Sequence, residues 1–84
     1  TGTVRDHIDI SFKLSAAAEI SIRVFNAAGR VVRFVARDQP MLSGRSAIPW
    51  DGRDYEGKVV PSGPYIISVQ TGDQRLDKIV AVIR

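Results

Sequence analysis

His7-Ile8-Asp9-Ile10-Ser11-Phe12-Lys13-Leu14 sets Ile8, Ile10, Phe12 and Leu14 at every second position, with polar residues between them. A strand turns successive side chains to opposite faces, so this alternation predicts a half-buried β-strand. Residues 19–25 repeat the pattern, with Ile20, Ile22 and Val24 inward and Glu19, Ser21 and Arg23 outward. Asn26-Ala27-Ala28-Gly29 then reads as a reversal, because Asn bonds local amides and Gly29 accepts a positive φ. Residues 30–37 return as the partner strand of this hairpin. Residues 38–44, which hold Pro40 and Gly44, read as a loop crossing to a second sheet.

The same period continues downstream. Residues 45–50 form a strand with Ser46, Ile48 and Trp50 on one side, and residues 51–57 are turn-rich. Residues 58–60 have room to pair only briefly before Pro61-Ser62-Gly63-Pro64, where Pro61 presets φ for a turn. Residues 65–70 place Tyr65, Ile67 and Val69 inward, Thr71-Gly72-Asp73-Gln74 reverses the chain, and residues 75–83 close it. Six or seven short strands, turns about every ten residues and no helical period predict an all-β, two-sheet antiparallel β-sandwich. Its expected core is Ile10, Phe12, Ile22, Val24, Ile48, Trp50, Tyr65, Ile67 and Val80. Trp50, the only tryptophan, is expected to plug one end, and the Tyr65 hydroxyl to reach a loop carbonyl.

The totals bound the rest. The 84 residues accommodate one core, so residues 1–84 are read as a single domain. With no cysteine, neither a disulfide nor a thiolate metal site is available. The longest apolar run, Ile79-Val80-Ala81-Val82-Ile83, falls far short of the ~18 residues of a membrane span, so no membrane insertion is expected. The net charge is +3, but the arginines are scattered and interleaved with acids. A nucleic-acid footprint needs them clustered with stacking aromatics, so no nucleic-acid partner is expected.

Three ordered stretches resemble a known family. They are residues 22–33, containing Asn26-Ala27-Ala28-Gly29-Arg30-Val31-Val32-Arg33; Trp50-Asp51-Gly52-Arg53-Asp54-Tyr55-Glu56-Gly57; and Val60-Pro61-Ser62-Gly63-Pro64-Tyr65. Their spacing is similar to that of the FlgD Ig-like domain, named after the flagellar hook-capping protein, and the resemblance spans residues 8–84. Asn26 stands where the family more often has Asp. The resemblance implies an immunoglobulin- or fibronectin III-like sandwich in which Gly29, Trp50, Asp51, Gly52, Asp54, Gly57, Pro61, Gly63 and Tyr65 form a structural motif. It also implies a C-terminal module of a larger secreted or cell-surface bacterial protein, similar to type IX secretion sorting domains. The continuous chain lacks the inserted subdomain of a hook-capping protein, which weighs against the flagellar role.

Candidate sites divide by chemistry. Asp51, Asp54 and Glu56 lie close together, and calcium favours clustered carboxylates, but the order is not that of an EF-hand and Arg53 sits in the middle. Turn capping is the better reading, and neither metal nor cofactor is expected. His7 is the only histidine and no G-x-S-x-G elbow is present, so no catalytic residue is assigned and the chain is read as not an enzyme. Alternation puts Arg33 and Arg37 on one side of their strand; with Arg23 they are possible anion contacts for a cell-surface polysaccharide or phosphate. Ile79, Val80, Ala81, Val82 and Ile83 make both faces of the last strand apolar. One face must look outward, which makes this strand the interface candidate and a possible sheet edge.

The resulting expectation is a non-catalytic structural or interaction module that docks on, spaces or helps export its parent. Its partners are the rest of its own polypeptide or other copies of itself. The alternatives are a self-assembling subunit of an extracellular appendage, hook-cap-like or filamentous, and a polysaccharide-binding module. Few aromatics are available for a glycan platform.

Overall fold

The computed structural model describes residues 2–4 and 7–83, and among these it contains only strands and turns. In chain order they are β1 (Gly2–Val4), β2 (Ile8–Leu14), β3 (Ala18–Asn26), β4 (Val31–Met41), β5 (Gly44–Trp50), β6 (Gly63–Thr71) and β7 (Gln74–Val82). Five strands form one sheet in the order β1-β7-β6-β3-β4, and β2 and β5 form the other. Every pairing is antiparallel except β1 with β7, which is parallel. The fold is an all-β sandwich, and its two sheets share one hydrophobic core.

Period two builds that core. Ile10 from β2 and Trp50 from β5 meet Ile20, Ile22 and Val24 from β3, Tyr65, Ile67 and Val69 from β6, and Val80 and Val82 from β7. Phe12 and Ile48, both expected inside, are partly buried and pack against this cluster. Trp50 is only 1% exposed, and its ring centroid lies 5.9 Å from that of Tyr65, tilted by 58°. Such tilted aromatic pairs add about 0.5–1.5 kcal/mol beyond area burial.

The structure corrects three sequence expectations. Residues 38–41 belong to β4, not to a crossing loop, and only Leu42 and Ser43 connect β4 to β5. Their strand character is hidden because β4 is irregular. Its register with β3 slips three times, between Ile20 and Ile22, Ile22 and Arg23, and Val24 and Phe25. Asp38 takes φ 48°, and reciprocal bonds hold it there: its amide donates to Ser21 Oγ at 3.0 Å, and that hydroxyl donates to Asp38 Oδ1 at 3.3 Å.

Those slips also break the alternation that placed Arg33 with Arg37. Val35 has no partner on β3, so Arg33 pairs with buried Val24 while Phe34 pairs with outward Arg23. Arg37 then stacks on Phe34, whereas Arg33 turns to the loop of residues 51–58. Finally, β7 is not the sheet edge along its last residues, because Gly2, Thr3 and Val4 pair with Val80, Ala81 and Val82. A three-residue strand is too short for a periodicity to register.

Truncating the central indole tests this packing. Trp50→Ala is expected to cost about 3–5 kcal/mol, read from equilibrium denaturation. Melting within a few degrees of the parent would place Trp50 outside the core.

Candidate functional site

One end of the sandwich is organised by a five-residue turn used twice. At Asn26–Arg30 the Asn26 amide donates to Arg30 O (2.9 Å) and the Gly29 amide to Asn26 O (3.0 Å). Asn26 Oδ1 accepts from the Ala28 and Arg30 amides, each at 3.0 Å. At Asp54–Lys58 the Asp54 amide donates to Lys58 O (2.8 Å) and the Gly57 amide to Asp54 O (3.0 Å). Asp54 Oδ1 accepts from the Glu56 and Lys58 amides, at 2.9 and 3.0 Å. The glycines match as well: Gly29 has φ 82° and Gly57 has φ 83°, a region that side chains with a Cβ rarely adopt. Asn and Asp serve the same turn because each offers one oxygen to two amides.

The second turn is docked, not free. The Tyr55 amide donates to Val32 O at 2.9 Å, which extends the β4 edge, and Arg33 Nη1 donates to Asp54 O at 3.0 Å. Arg33 Nη1 also lies 3.8 Å from Asp51 Oδ1, an oxygen that accepts from the Arg53 amide at 3.1 Å. Trp50 Nε1 donates to Arg53 O at 3.0 Å, and Arg53 pairs as an isolated bridge with Val59. The Val60 amide returns to Gly52 O at 3.0 Å, and the Tyr65 hydroxyl donates to Pro61 O at 2.9 Å. Thus Trp50, Asp51, Gly52, Asp54, Gly57, Pro61 and Tyr65 are brought together as one hydrogen-bonded loop system, Gly29 stays in the separate hairpin turn, and Gly63 opens β6 beyond the loop.

The residues considered for calcium sit inside this system. Asp51 and Asp54 spend the oxygens named above on amides, and Glu56 lies 3.9 Å from Lys58 Nζ. Among the described residues no three metal-ligating side chains gather. His7 lies exposed, 3.8 Å from Asp9.

The outer face of the five-stranded sheet divides into two halves. On one half the ladder aligns Ile79, Ile66, Phe25 and Val31 in a row across β7, β6, β3 and β4. Ile79 is 59% exposed and Ile83, on the same side, 49%, while Val80 and Val82 face the core. The interface candidates therefore separate into an outward set, Ile79 and Ala81 on β7 with exposed Ile83 just after it, and an inward pair. On the other half Arg23 and Arg37 lie 5.4 and 4.0 Å from the Phe34 centroid, and where the halves meet Arg75 reaches 5.7 Å from the centroid of Phe25 in the row. The sequence pattern does not show this stacking, because it joins side chains three residues apart on an irregular strand or on different strands. Arg75 Nε donates to Asp77 Oδ1 at 2.9 Å and holds the Asp77 carboxyl below the usual carboxylate range against partial desolvation.

Against known proteins, residues 2–75 match the model of the FlgD Ig-like domain, so the chain belongs to that family, a structural and non-catalytic class of module. Among solved structures it is similar to FlgD from P. aeruginosa, with a TM-score of 0.73 at 24% identity. That match covers 86% of this chain but only 57% of the FlgD chain. The likeness supports the Ig-like sandwich. Comparison with curated proteins gives no match.

Two measurements probe these contacts. Asp54→Ala frees two amides and should cost about 1–2 kcal/mol in denaturant, whereas Asp54→Asn should be nearly neutral, since Asn26 holds the equivalent turn. For Asp77 the folded pKa is depressed, so its contribution is full above the ordinary carboxylate range and is lost as pH falls through the lowered value. The pair is half-exposed and the effect small. Asp77→Asn should remove that part of the acid dependence of thermal stability and leave the neutral-pH fold intact.

Proposed function

We propose that this chain is a structural and interaction module that docks through the outer face of its larger sheet. The row of Ile79, Ile66, Phe25 and Val31, flanked by Ala81 and Ile83, carries this reading. An outward sheet face normally alternates to polar residues, and each large apolar side chain left in water forgoes roughly 1.5–3 kcal/mol of burial. A partner that covers the row gains most of that term from exposed Ile79 and Ile83 and less from half-buried Ile66, Phe25 and Val31, without new polar contacts. Membership of the family supports a scaffold role in place of catalysis.

In this reading the domain is the C-terminal part of a longer bacterial protein at or beyond the cell surface. It spaces that protein, supports its export or binds its neighbouring domain. The match to FlgD favours a second reading, in which the covering partner is another copy of the protein within a flagellar hook-cap-like or other appendage assembly. Both readings use the same face.

Ile79→Lys combined with Ile83→Lys is expected to leave the melting temperature within a few degrees, because both side chains are outward. In the full-length parent the double variant should loosen the domain, read as faster proteolysis at its boundary. For an assembling protein, sedimentation should show loss of the oligomer. Normal protease resistance together with a normal sedimentation profile would remove the face as an interface.

A further inference from the structure

We propose that the depression beside edge strand β4, lined by Arg33, Phe34, Arg37, Tyr55, Glu56 and Gly57, binds an anionic sugar residue. This site is separate from the apolar docking row and does not depend on it. Its acidic ligand group meets Arg37, and its ring lies against Tyr55.

Arg37 carries the first half of the argument. Its guanidinium is positioned by stacking 4.0 Å from the Phe34 centroid, and among the described residues it makes no ion pair. A stacked, carboxylate-free guanidinium is a pre-oriented fork of donors that suits a carboxylate, sulfate or phosphate bidentately. Arg23 approaches the same ring at 5.4 Å and is steadied by Gln70 Oε1 at 3.3 Å, which raises the positive potential on that side. Arg33 is a wall and not a ligand, since Asp54 O and Asp51 already engage it.

Tyr55 carries the second half. It is 72% exposed, yet its backbone is fixed: its amide bonds Val32 O, and the preceding Asp54 is held by two turn amides. An exposed aromatic ring on a rigid backbone costs little entropy to order and offers a flat apolar surface with a hydroxyl at its tip. Glu56 stands at the rim as an acceptor for sugar hydroxyls. One exposed tyrosine, one free fork and one rim carboxylate fit a single charged sugar. A nucleic-acid strand needs a track of cations and successive stacking rings, which one tyrosine and one free fork do not supply. A neutral glycan would leave Arg37 without a counter-charge.

Titration of the isotope-labelled chain with tetragalacturonate, its methyl ester and inorganic phosphate tests the site. Tetragalacturonate is expected to give saturable shifts centred on Arg37 and Tyr55, with the uncharged ester about tenfold weaker or worse and phosphate alone without saturation. Arg37→Gln and Tyr55→Ala should each weaken binding by about tenfold, Arg37→Lys should not restore it, and Tyr55→Phe should largely retain it. Arg45→Gln, on the other sheet, is the control and should change nothing. Four results would overturn the proposal: no saturation at millimolar sugar, equal affinity for acid and ester, an Arg45→Gln effect equal to that of Arg37→Gln, or an oligothymidylate that binds as tightly through the same residues. If Tyr55→Ala lowers the melting temperature, the Arg37→Lys and Tyr55→Phe pair still decides.

Discussion

The indole of Trp50 is the constraint on which the rest of this sandwich depends. Its ring fills the space where the two-stranded sheet closes on the five-stranded one, against Tyr65. Its one polar atom must find a partner once buried, and it finds Arg53 O in the following loop. That bond folds residues 51–54 back over the core, and the Tyr65 hydroxyl does the same for Pro61 from the other side. A loop of more than ten residues thereby becomes part of the framework. Its second turn is carried onto the β4 edge, where Tyr55 and Arg33 lock it.

The conspicuous acids of this loop are therefore absorbed by backbone chemistry. Asp54 does for its turn what Asn26 does for the hairpin turn, and the match in hydrogen bonds and glycine φ shows that carboxylate charge is not what the geometry requires. The exposed chemistry lies elsewhere: apolar on one half of the outer face, guanidinium on aromatic on the other. A small domain that commits its loops to structure still has sheet faces available for recognition.

Much of this was legible in the chain. Ile8, Ile10, Phe12 and Leu14 announce a strand because a regular ladder preserves period two, and the same holds for β3, β5 and β6. The motif of Trp50, Asp51, Gly52 and Asp54 is visible because turns depend on local residue types. What stayed hidden depends on distant partners. In β4, Val32 and Val35 stand out of register and Asp38 is left-handed, so Pro40 and Gly44 mimic a loop. Arg37 on Phe34 and Arg75 on Phe25 arise from side chains that reach along or across strands, which no one-dimensional pattern encodes. Only the pairing with β6 settles which set of β7 faces outward, since Val80 sits opposite buried Tyr65 and Ile79 opposite Ile66.

The parallel contact of β1 with β7 has a mechanical consequence. Gly2, Thr3 and Val4 run alongside Val80, Ala81 and Val82 in the same direction, so tension applied through the two strands pulls them past each other lengthwise. In that geometry the rungs of the ladder strain together. A hairpin pulled apart from its open end loses them one at a time. The innermost pairs also anchor Val80 and Val82 in the core, so sliding the strands would drag buried side chains through packed neighbours. Tension between a segment preceding β1 and a partner held on β7 would therefore load these three pairs together instead of one after another.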